Sequence, residues 1–185
     1  MQKLSMDDLG RLSPEEFKAA EKMPLIIILD NIRSMHNVGS VFRTADAFLC
    51  EQIMLCGYTP QPPHRDIHKT ALGATETVAW SYFKETAAAV AQARQKGYAV
   101  YAVEQAVHSI STEKMEVLKT LSADGIAKGL VLILGNEVQG VEQQIIDLSD
   151  GCLEIPQYGT KHSLNISVAA GIVIWESSKL LRSIR

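Results

Sequence analysis

Two apolar runs constrain this chain most: Leu25–Leu29 reads LIIIL and Leu130–Leu134 reads LVLIL. Neither alternates with polar residues, so both faces of each run need cover, and the β-branched side chains favour strand. A mainly parallel sheet with helices on both sides provides that cover, which predicts an α/β fold. The intervening segments agree. Val38–Leu49 sets Val38, Val41, Phe42, Ala45 and Phe48 on one helical stripe, with Arg43 and Asp46 off it. Thr86–Lys96 is alanine-rich and stops at Gly97, and Ser163–Leu181 reads as a long closing helix. Further strands are expected at Gln52–Cys56, Val78–Phe83, Tyr98–Val103 and Cys152–Ile155, with a helical turn at Ile67–Leu72 and a helix at Glu142–Leu148. Ser109–Lys128 reads as a short helix within a loop. Ser13-Pro14-Glu15-Glu16 carries an N-cap, a proline at the first helical position and a capping box. A helical arm over residues 1–22 is therefore expected ahead of a body at 23–185.

Composition excludes several classes. A chain of 185 residues, 46% apolar and 21% charged, fits one soluble domain with its own core. No apolar run approaches the roughly 18 residues that span a bilayer. The polar, acidic-rich start is neither a signal nor a transit peptide. Cys50, Cys56 and Cys152 show no CxxC spacing and read as buried thiols of a reducing cytoplasm. Net charge of −3 argues against coating nucleic acid over the whole surface, but leaves room for a local basic footprint. His64-Arg65-Asp66-Ile67-His68-Lys69 is the candidate, with Arg33, Arg43 and Lys161-His162 beside it; the bland reading is a solvated loop. His64 and His68 are four apart but lack a third ligand, so no metal site is expected. Nucleotide-binding glycine fingerprints and the GxSxG elbow are absent.

In open parallel sheets ligands sit beyond the carboxyl ends of the strands. The unusual segments of this chain follow strands: Asn31–Asn37, Glu104-Gln105, Gly135–Gly140 and Pro156–Asn165. Three stand out. Asn37-Val38-Gly39-Ser40-Val41-Phe42-Arg43 reads as an Asn-capped helix start carrying an arginine. Gly135-Asn136-Glu137-Val138-Gln139-Gly140 is a glycine-bounded loop that permits close backbone approach to a ligand. Ile155-Pro156-Gln157-Tyr158-Gly159-Thr160-Lys161-His162-Ser163-Leu164-Asn165-Ile166-Ser167 gathers hydroxyls, an amide and free N–H groups at the start of the closing helix.

Together these segments resemble the three motifs of the SpoU (TrmH-like) family of RNA ribose 2′-O-methyltransferases, in the SPOUT superfamily. The likeness runs from Leu25 to about Leu181. It implies a C-terminal trefoil knot and S-adenosylmethionine held near Val103, Glu104, Gly135, Ile155, Ser163 and Leu164. It also implies a catalytic set of Arg43, Asn37, Glu137, Ser163 and Asn165, with Asn37 and Glu137 orienting Arg43. A homodimer is implied, with Trp175 either on its face or in the core, and RNA contacts at Arg33, His64, Arg65, Lys69 and Lys161. Gln157 stands where many bacterial members have Met. With Val103-Glu104-Gln105 and Ile174-Trp175-Glu176 it is similar to the catalytic domain of large eukaryotic tRNA (guanosine-2′-O)-methyltransferases. Only residues 1–22 precede the catalytic fold, so tRNA is expected over rRNA. The rival from another class is a non-catalytic RNA-binding protein of the same fold.

Overall fold

The computed structural model describes residues 1, 3–5, 7–119 and 127–184. Seven strands form one sheet: β1 (Met23–Asp30), β2 (Cys50–Cys56), β3 (Trp80–Phe83), β4 (Tyr98–Val103), β5 (Ile110–Ser111), β6 (Gly129–Leu134) and β7 (Gly151–Glu154). Their order is β3-β2-β1-β6-β4-β7-β5, and every pairing between them is parallel. The two runs that opened the sequence lie side by side, Ile27 opposite Leu132, at the centre. Successive side chains point to opposite faces. Leu25, Ile27 and Leu29 thus join one core, under α2 (Met35–Ala47) and the closing helix α7 (Ile166–Ile184). Ile26 and Ile28 join the other, under α5 (Thr86–Gln95) and α6 (Gln143–Asp147).

Helix starts differ from expectation in two places. The first long helix begins at Met35, capped by Ser34, whose hydroxyl accepts from Asn37 N–H at 3.3 Å. Asn37 is therefore inside the first turn and is not the cap. The closing helix begins at Ile166, so Ser163 and Leu164 lie before it, outside any helix or strand. The serine hydroxyl at 34 and the Asn165 side chain, both short acceptors, mark the true starts.

The capping box at Ser13 and Glu16 forms as read, opening α1 (Pro14–Ala19). Phe17 is buried in the core, so this helix is fastened to the body. The segment after Cys56 folds as α3 (Arg65–Ala71) and α4 (Ala74–Thr77), the latter unread in the sequence. Gly39 is where α3 crosses α2: a Cβ there would stand 2.1 Å from Thr70 Oγ1 and 2.3 Å from the Ile67 carbonyl oxygen. Of the segment 109–128, residues 110–111 are strand β5 and 112–118 a 3-10 helix; residues 120–126 lie outside the described residues. Because all strands run one way, their carboxyl ends share one edge. That edge carries Asn31, Gly57, Glu104, Gly135 and Ile155.

Candidate active site

Glu137, in the loop after β6, is the junction of this edge. Its carboxylate accepts the Arg33 N–H at 3.0 Å, the Ser34 N–H at 3.2 Å and the Asn37 side-chain amide at 3.2 Å. An acceptor with negative charge at the start of a 13-residue helix also opposes the positive end of its dipole. Partial burial raises the Glu137 pKa, but the combined hydrogen bonds from Arg33, its own loop backbone, Asn37 and Ser34 outweigh it, and the net shift is downward. The other end of the Asn37 amide continues the chain of contacts. Its Oδ1 accepts from Asn165 Nδ2 at 3.2 Å, and Asn165 Oδ1 accepts the Ser167 N–H at 2.9 Å and its hydroxyl at 2.6 Å. Segments 100 and 128 residues apart are thereby joined side chain to side chain.

The loop itself is held from within. Asn136 is buried; its Oδ1 accepts from the Val138 and Gln139 N–H groups, and its Nδ2 donates to the Asn31 carbonyl at 2.8 Å and the Tyr58 hydroxyl at 2.6 Å. Gly140 closes the turn at φ +70°, a conformation open to glycine. A Cβ on Gly135 would lie 2.3 Å from Gly140 C and Val141 N. The sequence suggested that this glycine admits a ligand; its small size is required by the loop folding back on itself. Glu104 fastens the far side, with one oxygen accepting the Val141 N–H at 3.1 Å and the other the Gln105 N–H at 2.8 Å.

Beside this loop opens a cavity of about 430 Å³. All six residues assigned to the cofactor from the motifs, Val103, Glu104, Gly135, Ile155, Ser163 and Leu164, line it, as does Glu137. One wall is unusual. Among the described residues, Gln157 to Leu164 make no backbone–backbone hydrogen bond; the recorded contact is the His162 carbonyl accepting from Gln105 Nε2 at 2.9 Å. Backbone donors and acceptors of an ordered chain normally find partners. Of this run, Gln157, His162, Ser163 and Leu164 line the cavity.

Residues 24–175 match the family model described as the SpoU rRNA methylase family. The chain belongs to that family. Among SpoU relatives, the tRNA (guanosine(18)-2′-O)-methyltransferase of Aquifex aeolicus is 28% identical, over 84% of this chain and 69% of its own length. The 23S rRNA (guanosine-2′-O-)-methyltransferase RlmB of Vibrio cholerae is 27% identical, over 88% of this chain and 62% of its own. The chain thus spans about three fifths to two thirds of these curated relatives. The crystal structure of the A. aeolicus TrmH/SpoU tRNA modifying enzyme superposes with a TM-score of 0.76 at 26% identity, covering 92% of this chain and 81% of that one. An AdoMet-bound rRNA methyltransferase from Sinorhizobium meliloti gives 0.74 at 26%, covering 91% and 61%.

Set against the SpoU motifs, the structure brings Asn37, Glu137 and Asn165 into contact and leaves Arg43 apart. Arg43 is six residues beyond Asn37, so it projects about 120° round the helix and about 9 Å along it. It is exposed, does not line the cavity, and among the described residues meets no hydrogen-bonding or ionic partner. Asn37 and Glu137 hold each other and the α2 start, and do not orient Arg43 within one chain. Arg33, His64, Arg65, Lys69 and Lys161 are all exposed. His64 caps α3 through Nδ1, and Lys69 pairs with Asp66 at 2.8 Å, an exposed pair of small energetic weight. Cys50 and Cys56 are buried, and burial pushes both thiols up to about 12, far from a reactive thiolate. Sequence reasoning missed Tyr58, which bonds Asn136; it lies two residues beyond the end of β2, and that position was the available signal. Gln105, equally placed after β4, was singled out and ties the open segment. No described helix is long and apolar enough to cross a membrane.

Proposed function

We propose that this chain transfers the methyl group of S-adenosylmethionine to a ribose 2′-hydroxyl of RNA. The observation that carries the reading is the meeting of three distant segments, through Glu137, Asn37 and Asn165, at the rim of one cavity. The cavity fits the cofactor by size and by charge. Its volume lies in the range of small-ligand sites, about 300–1,000 Å³. Its described lining holds the carboxylates of Glu104 and Glu137 and no lysine or arginine, which suits a sulfonium cation and disfavours a nucleotide bearing phosphates. Apolar side chains of Val103, Leu134, Ile155 and Leu164 offer a surface for the adenine, and the backbone of Gln157, Ser163 and Leu164, which line the cavity, offers it hydrogen bonds.

When bound, S-adenosylmethionine supplies an electrophilic methyl carbon with its leaving group attached. The chain's own residues then have to position the ribose oxygen and handle its proton. Ser163 and Asn165, exposed at the cavity rim, are placed to hold the sugar. A guanidinium carries five N–H donors and no acceptor, so Arg43 serves as a clamp on the adjoining phosphate and a stabiliser of the developing alkoxide. Because Arg43 lies outside the cavity of its own chain, it acts in the site of a second copy. Two exposed apolar side chains on α7, Val168 and Trp175, suit that homodimer face; Trp175 has only an edge contact with Phe48.

The arm at 1–22, the catalytic body at 23–185 and a trefoil knot belong to the same reading. It draws support from β6 inserting between β1 and β4, and from the chain after β7 returning to reach Asn37. The three buried free thiols fit a cytoplasmic setting. We favour tRNA as substrate, on the motif likeness and the A. aeolicus relative. The test is calorimetry with S-adenosylmethionine followed by mapping of 2′-O-methyl groups in RNA from cells with and without the gene. Loss of one tRNA mark is expected. Loss of an rRNA mark redirects the substrate, and absence of cofactor binding overturns the enzyme.

A further inference from the structure

We propose that Tyr58 and Tyr82, with the cavity beyond them, form a stacking track for unpaired nucleotides next to the one that is modified. This deepens, and rests on, the RNA-directed reading above. Tyr58 is 58% exposed and Tyr82 42% exposed. Their hydroxyls are both engaged: Tyr58 accepts from Asn136 Nδ2 at 2.6 Å, and Tyr82 donates to the Gly57 carbonyl at 3.0 Å. With the polar end of each ring tied down, the area left to solvent is mainly ring carbon. Among the described residues neither ring packs on another aromatic ring or beneath a cation. Rings fixed at the hydroxyl with open faces lose little freedom when a base stacks on them.

Their placement gives the track a direction. Asn136, which anchors Tyr58, also lines the cofactor cavity. Gly57, which anchors Tyr82, is the residue before Tyr58. Trp80 shares the strand face of Tyr82, two residues away, and lines a second cavity of about 460 Å³. Pro63 and Ile67 complete its apolar wall, with Arg65 and Glu76 at its polar side. A nucleobase is a flat apolar body with hydrogen-bonding edges, and it needs both kinds of wall. Arg65 and Glu76 line the second cavity, and exposed Lys84 and Glu85 follow Tyr82 in the chain, so these charges balance. Stacking, which every base can do, therefore has to supply much of the affinity. Bases paired within a duplex cannot present their faces, so the track selects single-stranded or loop RNA.

The test uses fluorescence anisotropy with a short, labelled, mixed-sequence single-stranded oligoribonucleotide, and the same strand annealed to its complement. Tyr58→Leu and Tyr82→Leu are each expected to weaken single-strand binding about tenfold, whereas Tyr58→Phe and Tyr82→Phe, which keep the ring and lose its anchor, weaken it less. Duplex binding should be unchanged, and calorimetry should show Tyr82→Leu with wild-type affinity for S-adenosylmethionine. Leucine variants that bind the single strand like wild type, or that lose single strand and duplex equally, overturn the track and leave methyl transfer standing. A wild-type protein that binds neither tRNA nor the oligonucleotide overturns both readings.

Discussion

The two ends of helix α2 are built to different rules. At its start, Asn37 is held by Glu137 on one side and Asn165 on the other, inside a mesh of backbone donors. Less than two turns later, Arg43 stands exposed, and among the described residues it meets no hydrogen-bonding or ionic partner. The same short segment thus contains a part fixed by contacts within the chain and a part without them among the described residues. A guanidinium kept free of internal ion pairs has its donors available to a phosphate or a partner subunit.

Substitutions can break that contrast. Arg43→Ala should give the largest effect: about 10²–10³-fold slower methyl transfer, with stability to denaturant changed by less than about 0.5 kcal/mol. A variant that unfolds early would mean Arg43 has internal contacts after all. Trp175→Lys comes next. If the exposed face of α7 is where the copy supplying Arg43 docks, truncating its centre costs about 2 kcal/mol or more of association, visible as monomer in sedimentation. Unaltered dimers would move the interface elsewhere.

Glu137→Ala tests the completed end. It strips the acceptor from two backbone N–H groups and one amide, for a loss of about 1–3 kcal/mol in stability, in contrast to the silent Arg43→Ala. The pH dependence has a definite sign. The folded pKa of Glu137 is depressed, so its contribution is present above the unfolded carboxyl value of about 4.3 and disappears as pH falls through the folded value. Glu137→Gln should flatten that part of the acid unfolding curve. A curve identical to wild type would show that the mesh does not depend on the charge.

The smallest contrast is between two glycines of the motifs. Gly159→Ala meets nothing within 4 Å and should change stability by less than about 0.5 kcal/mol. Gly135→Ala, with backbone at 2.3 Å, should cost about 1–3 kcal/mol. Weakened cofactor binding in a fully stable Gly159→Ala would place the ligand against that segment.

The parallel sheet was legible because Leu25–Leu29 and Leu130–Leu134 are apolar at every position, a pattern that solvent does not permit on either face of a strand. Motif likeness pointed to residues that share a cavity: all six that it assigns to the cofactor line one. Helix starts were less so: Ser34 and Asn37 are both good caps, and the carboxylate that arrives from Glu137 occupies Asn37, leaving the cap to Ser34. That Gly135 also makes room for the loop's return past Gly140 and Val141 was not legible, because sequence shows that a side chain is absent without showing what takes its space.

Periodicity and side-chain chemistry settle what each short segment can become, since those forces act within a few residues. Which far-off groups satisfy one another is a matter of three-dimensional closure. Only the folded chain decided that Glu137 would serve the first turn of α2, that Tyr58 would lean on Asn136, and that Arg43 would face outward. Hydrogen bonds act at about 3 Å, and no spacing along the sequence encodes which atoms reach that distance.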